Sequence, residues 1–434
     1  MLEKLTALGV PLRIVARHSV PHVKAKLQFM RPMTTDFKDS LTVYDRFGGI
    51  SSNIQTERCM SIHTNRGSLP ENLNAWGRVV RGLEWVAAAE ASLAHGISKI
   101  KISHREVFFD TTQEVFLNDH KHMSCFDDVF VKWGKSNTIG KTKAALENLH
   151  EIVGSLPDLP KIAKDFTCMR VTASVLGNVK RNYSRYDLED KIGSLLQKKT
   201  GLKYLTHNNV LTEDPVWIRV HFTRENSIFG LRINNTPLHR RDWRSETIAG
   251  SLHPPVATAM CMLADIGEHD TVLDPFMGAG TILLEAGQKK SAIKMIGVEI
   301  DPNNASVAQQ NFSRAHFEPE VIVADSNSYT LPKVDRIVTN PPWGNLVDMN
   351  TPLNIHNIMN SLKKDGRAVF LVDQSLNFRN LLVQEGYRPI FSQNLRISGR
   401  LAEIIIVDGT GQTFRKTPEG IALAKAWKDF GTDF

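Results

Sequence analysis

From Thr247 onward the chain repeats one pattern: a short run rich in Val, Ile and Leu, a turn, then a segment with helical spacing. The runs are "DTVLDPF" (270–276), "KMIGVEI" (294–300), "EVIVADS" (320–326), "VDRIVTN" (334–340), "RAVFLVD" (367–373) and "LAEIIIVDG" (401–409). Intervening helices are expected to start near Thr281, Asn303, Leu353 and Ser375. Strands that are apolar on both faces need cover on both faces. Strand and helix in alternation supply that cover in a doubly wound, mostly parallel sheet.

In such a sheet, ligands sit at the carboxyl ends of the strands. The first strand ends in "DPFMGAGTILLEA", with Asp274, Pro275, Phe276, Gly278, Gly280 and Thr281. The second ends in "GVEIDP", offering Glu299, Ile300 and Asp301, and the third ends in Asp325 and Ser326. Glycines at 278 and 280 allow a tight turn and a close approach of backbone to ligand. A dinucleotide fingerprint would need a third glycine after Gly280, and no Lys-Ser/Thr pair follows to make a P-loop. Carboxylates at three strand ends also oppose a phosphate ligand. They suit a ligand with ribose hydroxyls, an adenine amino group and an ammonium, for which Glu299, Asp325 and Asp274 would be the acceptors. Those three demands together describe S-adenosylmethionine. Asp301 fits helix-capping duty better than ligand contact.

The fourth strand ends in "TNPPWG" (339–344), where two consecutive residues lack an N–H and the ladder cannot continue. Such a turn is rigid and rich in acceptors. Methylating an exocyclic amine needs its lone pair freed from ring conjugation, which carbonyl acceptors achieve by binding the amine hydrogens. Asn340 Oδ1 and the Pro341 carbonyl are two such acceptors, fixed by Pro341 and Pro342, and Trp343 can stack on a base. An ordinary proline-ended strand with a packing Trp is the plainer reading of the turn alone. Methylation at a ring carbon would want an activated cysteine, and none of the four (Cys59, Cys125, Cys168, Cys261) lies at a strand end of this sheet.

Upstream, two smaller α/β patterns precede the sheet. "GRVVRGLEWVAAAEASLAHG" has apolar Leu83, Val86, Ala87 and Leu93 at helical spacing and stops at Gly96. "SKIKISHREVFFDT" alternates like strands, and "IGKTKAALENLHEIV" predicts a second helix. After a linker-like "GSLPDLPK" (154–161) come a strand "CMRVTASVLG", a helix "SRYDLEDKIGSLLQKKTG" with Ser184 as N-cap and Asp187 three residues on, and strands "PVWIRVHFT" and "SIFGLRIN". This reading gives an N-terminal extension of unassigned fold (1–77), a module at 78–160, a second at 161–237, a basic linker at 238–250 and the doubly wound domain at 251–434.

Net charge adds a partner class. Residues 166–245 carry 14 Lys and Arg against 7 Asp and Glu, which equals the net +7 of the whole chain. A basic excess confined to one segment is the footprint of a polyanion, although a solvated charged face would look the same. The scattered cysteines contain no CxxC pair, and His120 and His122 lack any common ligand spacing, so no metal and a reducing compartment are expected. No apolar run reaches the ~18 residues of a membrane span. Residues 4–35 lack acids and carry Arg13, Arg17, Lys24, Lys26 and Arg31, a composition that a transit peptide would share.

The motifs "VLDPFMGAGTILLEA", "IGVEIDP" and "IVTNPPWG" together resemble motifs I, II and IV of class I S-adenosylmethionine-dependent methyltransferases that methylate amines. The stretch from Met169 to Arg244 resembles a THUMP domain, an RNA-binding module, and "VVRGLEWVAAAEASLAHGISKIKISHREVFF" resembles the ferredoxin-like domain that precedes it. This order, from Arg78 to Gly409, is similar to the THUMP-containing tRNA guanine-N2 methyltransferases of the archaeal and bacterial acceptor-stem type. The resemblance implies a Rossmann-like class I methyltransferase sheet preceded by a ferredoxin-like and an α/β THUMP domain. It implies that Asp274, Pro275, Phe276, Gly278, Gly280, Thr281, Glu299, Ile300, Asp325, Ser326 and Asn340 line the cofactor, and that Asn340, Pro341, Pro342 and Trp343 hold the guanine amine. The family often has Tyr or Phe after the second proline, so Trp343 is a departure that keeps an aromatic ring. Lys180, Arg181, Arg185, Lys198, Lys199, Arg240, Arg241 and Arg244 are the candidates for phosphate contacts. The expected protein is a cytoplasmic monomer acting on tRNA, without membrane or metal. The motif itself does not separate guanine N2 from adenine N6, so an rRNA or a DNA adenine methyltransferase, and an RNA-binding protein with a vestigial catalytic domain, stay open.

Overall fold

A computed structural model describes residues 72–119, 123–175, 180–211, 214–233, 236–343, 353–397 and 399–431. The N-terminal extension up to residue 71, His120 and His122 lie outside the described residues. Two sheets organise the rest.

The first sheet has eight strands: β1 (Asn72–Arg78), β2 (Ser98–Ser103), β3 (Glu106–Thr112), β4 (Asp128–Asn137), β5 (Cys168–Val175), β6 (Lys203–Tyr204), β7 (Val216–Phe222) and β8 (Asn226–Arg232), in spatial order 2-3-1-4-8-7-5-6. The expected modules at 78–160 and 161–237 share this sheet, because β4 pairs antiparallel with β8, Val131 opposite Leu231. Each half alone would leave that edge unpaired, and joining closes both edges at once. Strand β1 begins before the expected boundary at 78 and pairs with both β3 and β4.

Helical spacing around Arg78–Gly96 yields a helix only from Glu84, α1 (Glu84–Leu93), because Gly82 takes a left-handed turn at φ +94°. The segment 139–153 is a 3₁₀ turn followed by a short helix, not one long helix. The helix Arg185–Thr200 forms as its sequence dictates. Ser184 Oγ accepts from the Asp187 amide at 3.0 Å, Asp187 reaches back to the Ser184 amide at 2.8 Å, and Gly201 ends it at φ +79°.

The second sheet has seven strands: β9 (Thr271–Asp274), β10 (Lys294–Glu299), β11 (Glu320–Val323), β12 (Val334–Thr339), β13 (Leu362–Asp373), β14 (Pro389–Ile397) and β15 (Arg400–Asp408). Their order is 11-10-9-12-13-15-14; the first five are parallel, and β15 pairs antiparallel with both β13 and β14. This is the Rossmann-like sheet expected from the sequence. Strand alternation splits the core into two layers. Val272, Val338, Val369 and Ile404 face the helices 254–264, 281–289 and 302–314, whereas Leu273, Ile337, Phe370 and Ile405 face the helices 355–360 and 378–384.

The helix Pro418–Phe430 packs onto α1. There Trp85 and Trp427 meet edge-on at 4.9 Å, flanked by Phe391 and Phe414, and Trp85 Nε1 donates to Gln393 at 2.8 Å. Lys289 pairs with the buried Glu90 across the same junction. The two sheets therefore share one apolar core. No helix among the described residues is long and apolar enough to cross a membrane.

Candidate active site

The carboxyl ends of β9, β10, β11 and β12 converge because the parallel register sets Ile337 beside Leu273 and Gly297 beside Asp274. Asp274 is 1% exposed. Its Oδ1 accepts from the Thr339 hydroxyl at 2.7 Å and from the Phe276 amide at 3.1 Å. Burial pushes its carboxyl up to about 7; the Thr339 and Phe276 bonds oppose this and Glu299 adds to it. No cation pairs with it among the described residues. Thr339 was not a sequence candidate, and its only sequence signal is adjacency to Asn340 at a strand end.

After Asp274 the chain turns through Gly278 at φ +52° and Gly280 at φ +81°. A Cβ on Gly280 would meet the Phe312 ring at 2.8 Å, so this glycine serves helix packing as well as its left-handed turn. Thr281, 4% exposed, then starts the helix 281–289. Glu299 organises the crevice from the next strand. Its Oε2 accepts from the Gly278 amide at 2.9 Å and its Oε1 from the Asp301 amide at 3.0 Å. Asn304 Nδ2 also donates to Oε1, at 3.4 Å, so the carboxylate holds the glycine turn and the helix start while Oε2 keeps a lone pair for a hydroxyl. Asp301 caps the helix 302–314 through the Asn303 amide at 2.8 Å. Ile300 is 65% exposed beside this crevice, an apolar side chain left in the open at a strand end.

Asp325 is half-buried and accepts from the Asn327 amide at 2.9 Å. Ser326 is buried, and its hydroxyl donates to the Pro275 carbonyl, tying the third strand end to the first.

The turn after β12 completes the group. Asn340 is half-buried, but its Oδ1 is buried and has no hydrogen-bond partner among the described residues. Such an orphan acceptor costs about 1–3 kcal/mol, so its retention points to a donor that arrives from outside. Pro341 is buried and Pro342 exposed. Trp343 is half-buried and packs on the core, and its indole N–H donates to the Leu371 carbonyl at 3.4 Å. The expected stacking ring therefore also anchors the turn to β13.

The basic candidates do not form one patch of equals. Lys180, Arg185, Lys198, Lys199 and Arg240 are exposed, with Arg185 bonded to Glu189 at 2.7 Å and Lys199 to the Gly154 carbonyl at 3.1 Å. Arg181 and Arg244 are half-buried, each with an Nε lacking a partner. Arg241 is a correction: its guanidinium is taken by Glu285 at 2.7 and 3.2 Å and by the Ser124 carbonyl at 2.7 Å, so it staples the linker to the fold instead of facing solvent. The sequence reading missed Arg219, whose guanidinium is driven down to about 10 by burial and by neighbouring Arg78 and Arg185, and whose Nε has no partner. Its signal was the strict alternation of "VWIRVHF", which puts Trp217, Arg219 and His221 on one face of β7.

Residues 241–403 match the family model described as UPF0020, an RMKL-like methyltransferase domain. The chain is 33% identical over 162 residues to a tRNA (guanine(10)-N2)-dimethyltransferase of Methanothermobacter thermautotrophicus, covering 36% of this chain and 47% of the relative. The chain thus spans about half the length of that relative. It is 31% identical over 153 residues to a probable tRNA (guanine(10)-N2)-dimethyltransferase of Methanothermococcus thermolithotrophicus, covering 32% of this chain and 91% of the relative. Among solved structures, TrmN from Thermus thermophilus superposes with a TM-score of 0.62 at 21% identity, over 77% of this chain and 99% of that one, a likeness of fold.

Proposed function

The chain belongs to the RMKL-like methyltransferase-domain family, alongside proteins named tRNA (guanine-N2) methyltransferases, and from that premise we propose that it is an S-adenosylmethionine-dependent enzyme methylating the exocyclic N2 amine of a guanosine in tRNA. The observation that carries this reading is the buried Asn340 Oδ1, without a partner among the described residues, directly after Thr339, whose hydroxyl bonds the Asp274 carboxyl that no cation pairs.

The residues fit the donor. Asp274 lacks a cationic partner and would hold its ammonium. Glu299 would take ribose hydroxyls, and Asp325 the adenine amino group, with Ile300 covering the ring. When bound, S-adenosylmethionine supplies an electrophilic methyl carbon. Asn340 Oδ1 and the Pro341 carbonyl accept the amine hydrogens, which turns the nitrogen lone pair out of ring conjugation and toward the donor side. Pro341 and Pro342 fix those acceptors before the base arrives, so the rate comes from positioning. The methyl would pass from the sulfonium, which departs as a neutral thioether, to the nitrogen, and the amine proton would then leave to water. The half-buried Trp343 would bound the base on one side. The THUMP-like part of the first sheet, with Lys180, Arg181, Arg185, Lys198, Lys199, Arg240 and Arg244, would grip the RNA backbone.

The test incubates the protein with methyl-labelled S-adenosylmethionine and total tRNA, rRNA or DNA, then identifies the labelled nucleoside. Label in N2-methylguanosine of tRNA is expected. Label confined to rRNA, or to N6-methyladenine in DNA, overturns the reading.

A further inference from the structure

The loop after β11 carries Asp325 and Ser326; Ala324 and Leu331 anchor its ends in the core, but Ser328, Tyr329 and Thr330 between them are all exposed. It is gripped from outside by two asparagines at the start of the helix Ile355–Asn360. Asn357 Nδ2 donates to the carbonyls of Ser326 at 2.7 Å and Tyr329 at 2.8 Å. The Asn354 amide donates to Asn327 Oδ1 and its Nδ2 to the Asn327 carbonyl, both at 2.9 Å. Asn354 Oδ1 in turn caps the helix through the Asn357 amide at 3.0 Å. Two side chains thus do the work of a missing strand pairing, and each bond falls on loop backbone or on Asn327.

The grip continues inward. Ser326 is held at its carbonyl by Asn357 and through its hydroxyl bonds the Pro275 carbonyl, next to Asp274. The helix bearing the two asparagines is the next described helix after the Asn340–Trp343 turn. The described chain nearest in sequence after the amine-holding turn therefore clasps the loop of the third strand end.

We propose that Asn354 and Asn357 are positioning residues that set the donor-binding loop of Asp325 and Ser326 from the substrate side of the crevice. The inference rests on reading this crevice as the S-adenosylmethionine site. It requires no contact between either asparagine and the donor. Losing the two Asn357 bonds loosens the stretch from Ser326 to Tyr329, which Asn354 and the turn bonds to the Asp325 carbonyl still hold in part, and donor affinity falls because that stretch must then be ordered on binding.

The experiment measures S-adenosylmethionine binding by calorimetry and steady-state kinetics with tRNA for the full chain and for Asn357→Ala and Asn357→Asp. The expected result is a Kd and KM for the donor raised about tenfold by Asn357→Ala. A larger rise is expected for Asn357→Asp, whose carboxylate faces two carbonyls. The KM for tRNA and the thermal midpoint should stay put in both. A merely space-filling asparagine would not give this order, because aspartate has the same shape. Donor affinity within twofold of wild type in both variants overturns the proposal. Wild-type protein that binds no donor overturns the reading of the crevice itself, and the two failures are told apart by that control.

Discussion

Asp408 and Asp274 belong to the same sheet, are 7% and 1% exposed, and their carboxyls are held in opposite states. Asp408 lies opposite Arg367, at the amino-terminal side of the parallel strands. It accepts from Arg367 Nε at 2.7 Å, Arg415 Nε at 2.9 Å, the Thr410 amide at 2.8 Å and the Thr410 hydroxyl. Burial alone would raise its carboxyl, but the Thr410 hydroxyl and the two arginines outweigh burial and bring it down to about 2. Asp274, at the carboxyl end, has only a hydroxyl and an amide, and burial wins, taking it to about 7. The difference separates a charge the fold completes from a charge the fold leaves for a ligand to complete.

The most disruptive way to break this comparison is Asp408→Ala. Arg367 is 1% exposed and would lose its carboxylate, which costs about 3–5 kcal/mol for a broken buried pair. A urea unfolding curve reads the loss. A drop of less than about 1 kcal/mol would mean that the pair is structurally idle. The sign of the pH effect is fixed by the depressed carboxyl. Its contribution is fully present above the ordinary value of 3.8 and disappears as pH falls through about 2.

Asn340→Ala attacks the other end and should invert the pattern. It removes an acceptor that bonds nothing among the described residues, so the thermal midpoint should hold or rise slightly. Turnover should fall roughly 10²–10³-fold, the usual consequence of losing one preorganised polar group at a reacting centre. Donor affinity by calorimetry should stay within about threefold. Near-normal turnover in this variant would remove Asn340 from the chemistry and leave its orphan oxygen unexplained.

The contrast also explains what the sequence could reveal. The parallel strands were legible because both faces of β9, β10, β12 and β13 are apolar, and their ends because Pro and Gly cannot continue a ladder. The cap of the helix 185–200 was legible because Ser184 and Asp187 are three residues apart. The joining of the two N-terminal segments into one sheet was not, because strand pairing between β4 and β8 links residues 89 to 100 positions apart, from Asn137 with Asn226 to Val131 with Leu231, and leaves no local trace. Thr339 looked like one more strand residue, and only the register brings its hydroxyl to Asp274. The commitment of Arg241 to Glu285 depends on a tertiary contact that composition counts as free positive charge.

The mildest probe follows the Asp274 proton. With its carboxyl raised to about 7, the folded protein keeps a proton that the unfolded chain loses near 3.8. The folded state therefore binds more protons between those values, and stability declines as pH rises from about 4 to about 7, then levels off. Replacing the acid by Asp274→Asn removes that decline and should stabilise the free protein by roughly 1–3 kcal/mol at pH 8, because no buried carboxylate is then forced to ionise. The same substitution should abolish binding of an ammonium-bearing donor, so stability and affinity move in opposite directions. In wild type, donor binding at pH 6.5 should release up to about one proton from Asp274, since the ammonium favours the charged carboxylate. Calorimetry in two buffers of different ionisation enthalpy measures that release, which should vanish above about pH 9 and in Asp274→Asn. A wild-type protein that binds the donor with no proton release at pH 6.5 would place Asp274 with Asp408, as an aspartate whose charge the fold already satisfies.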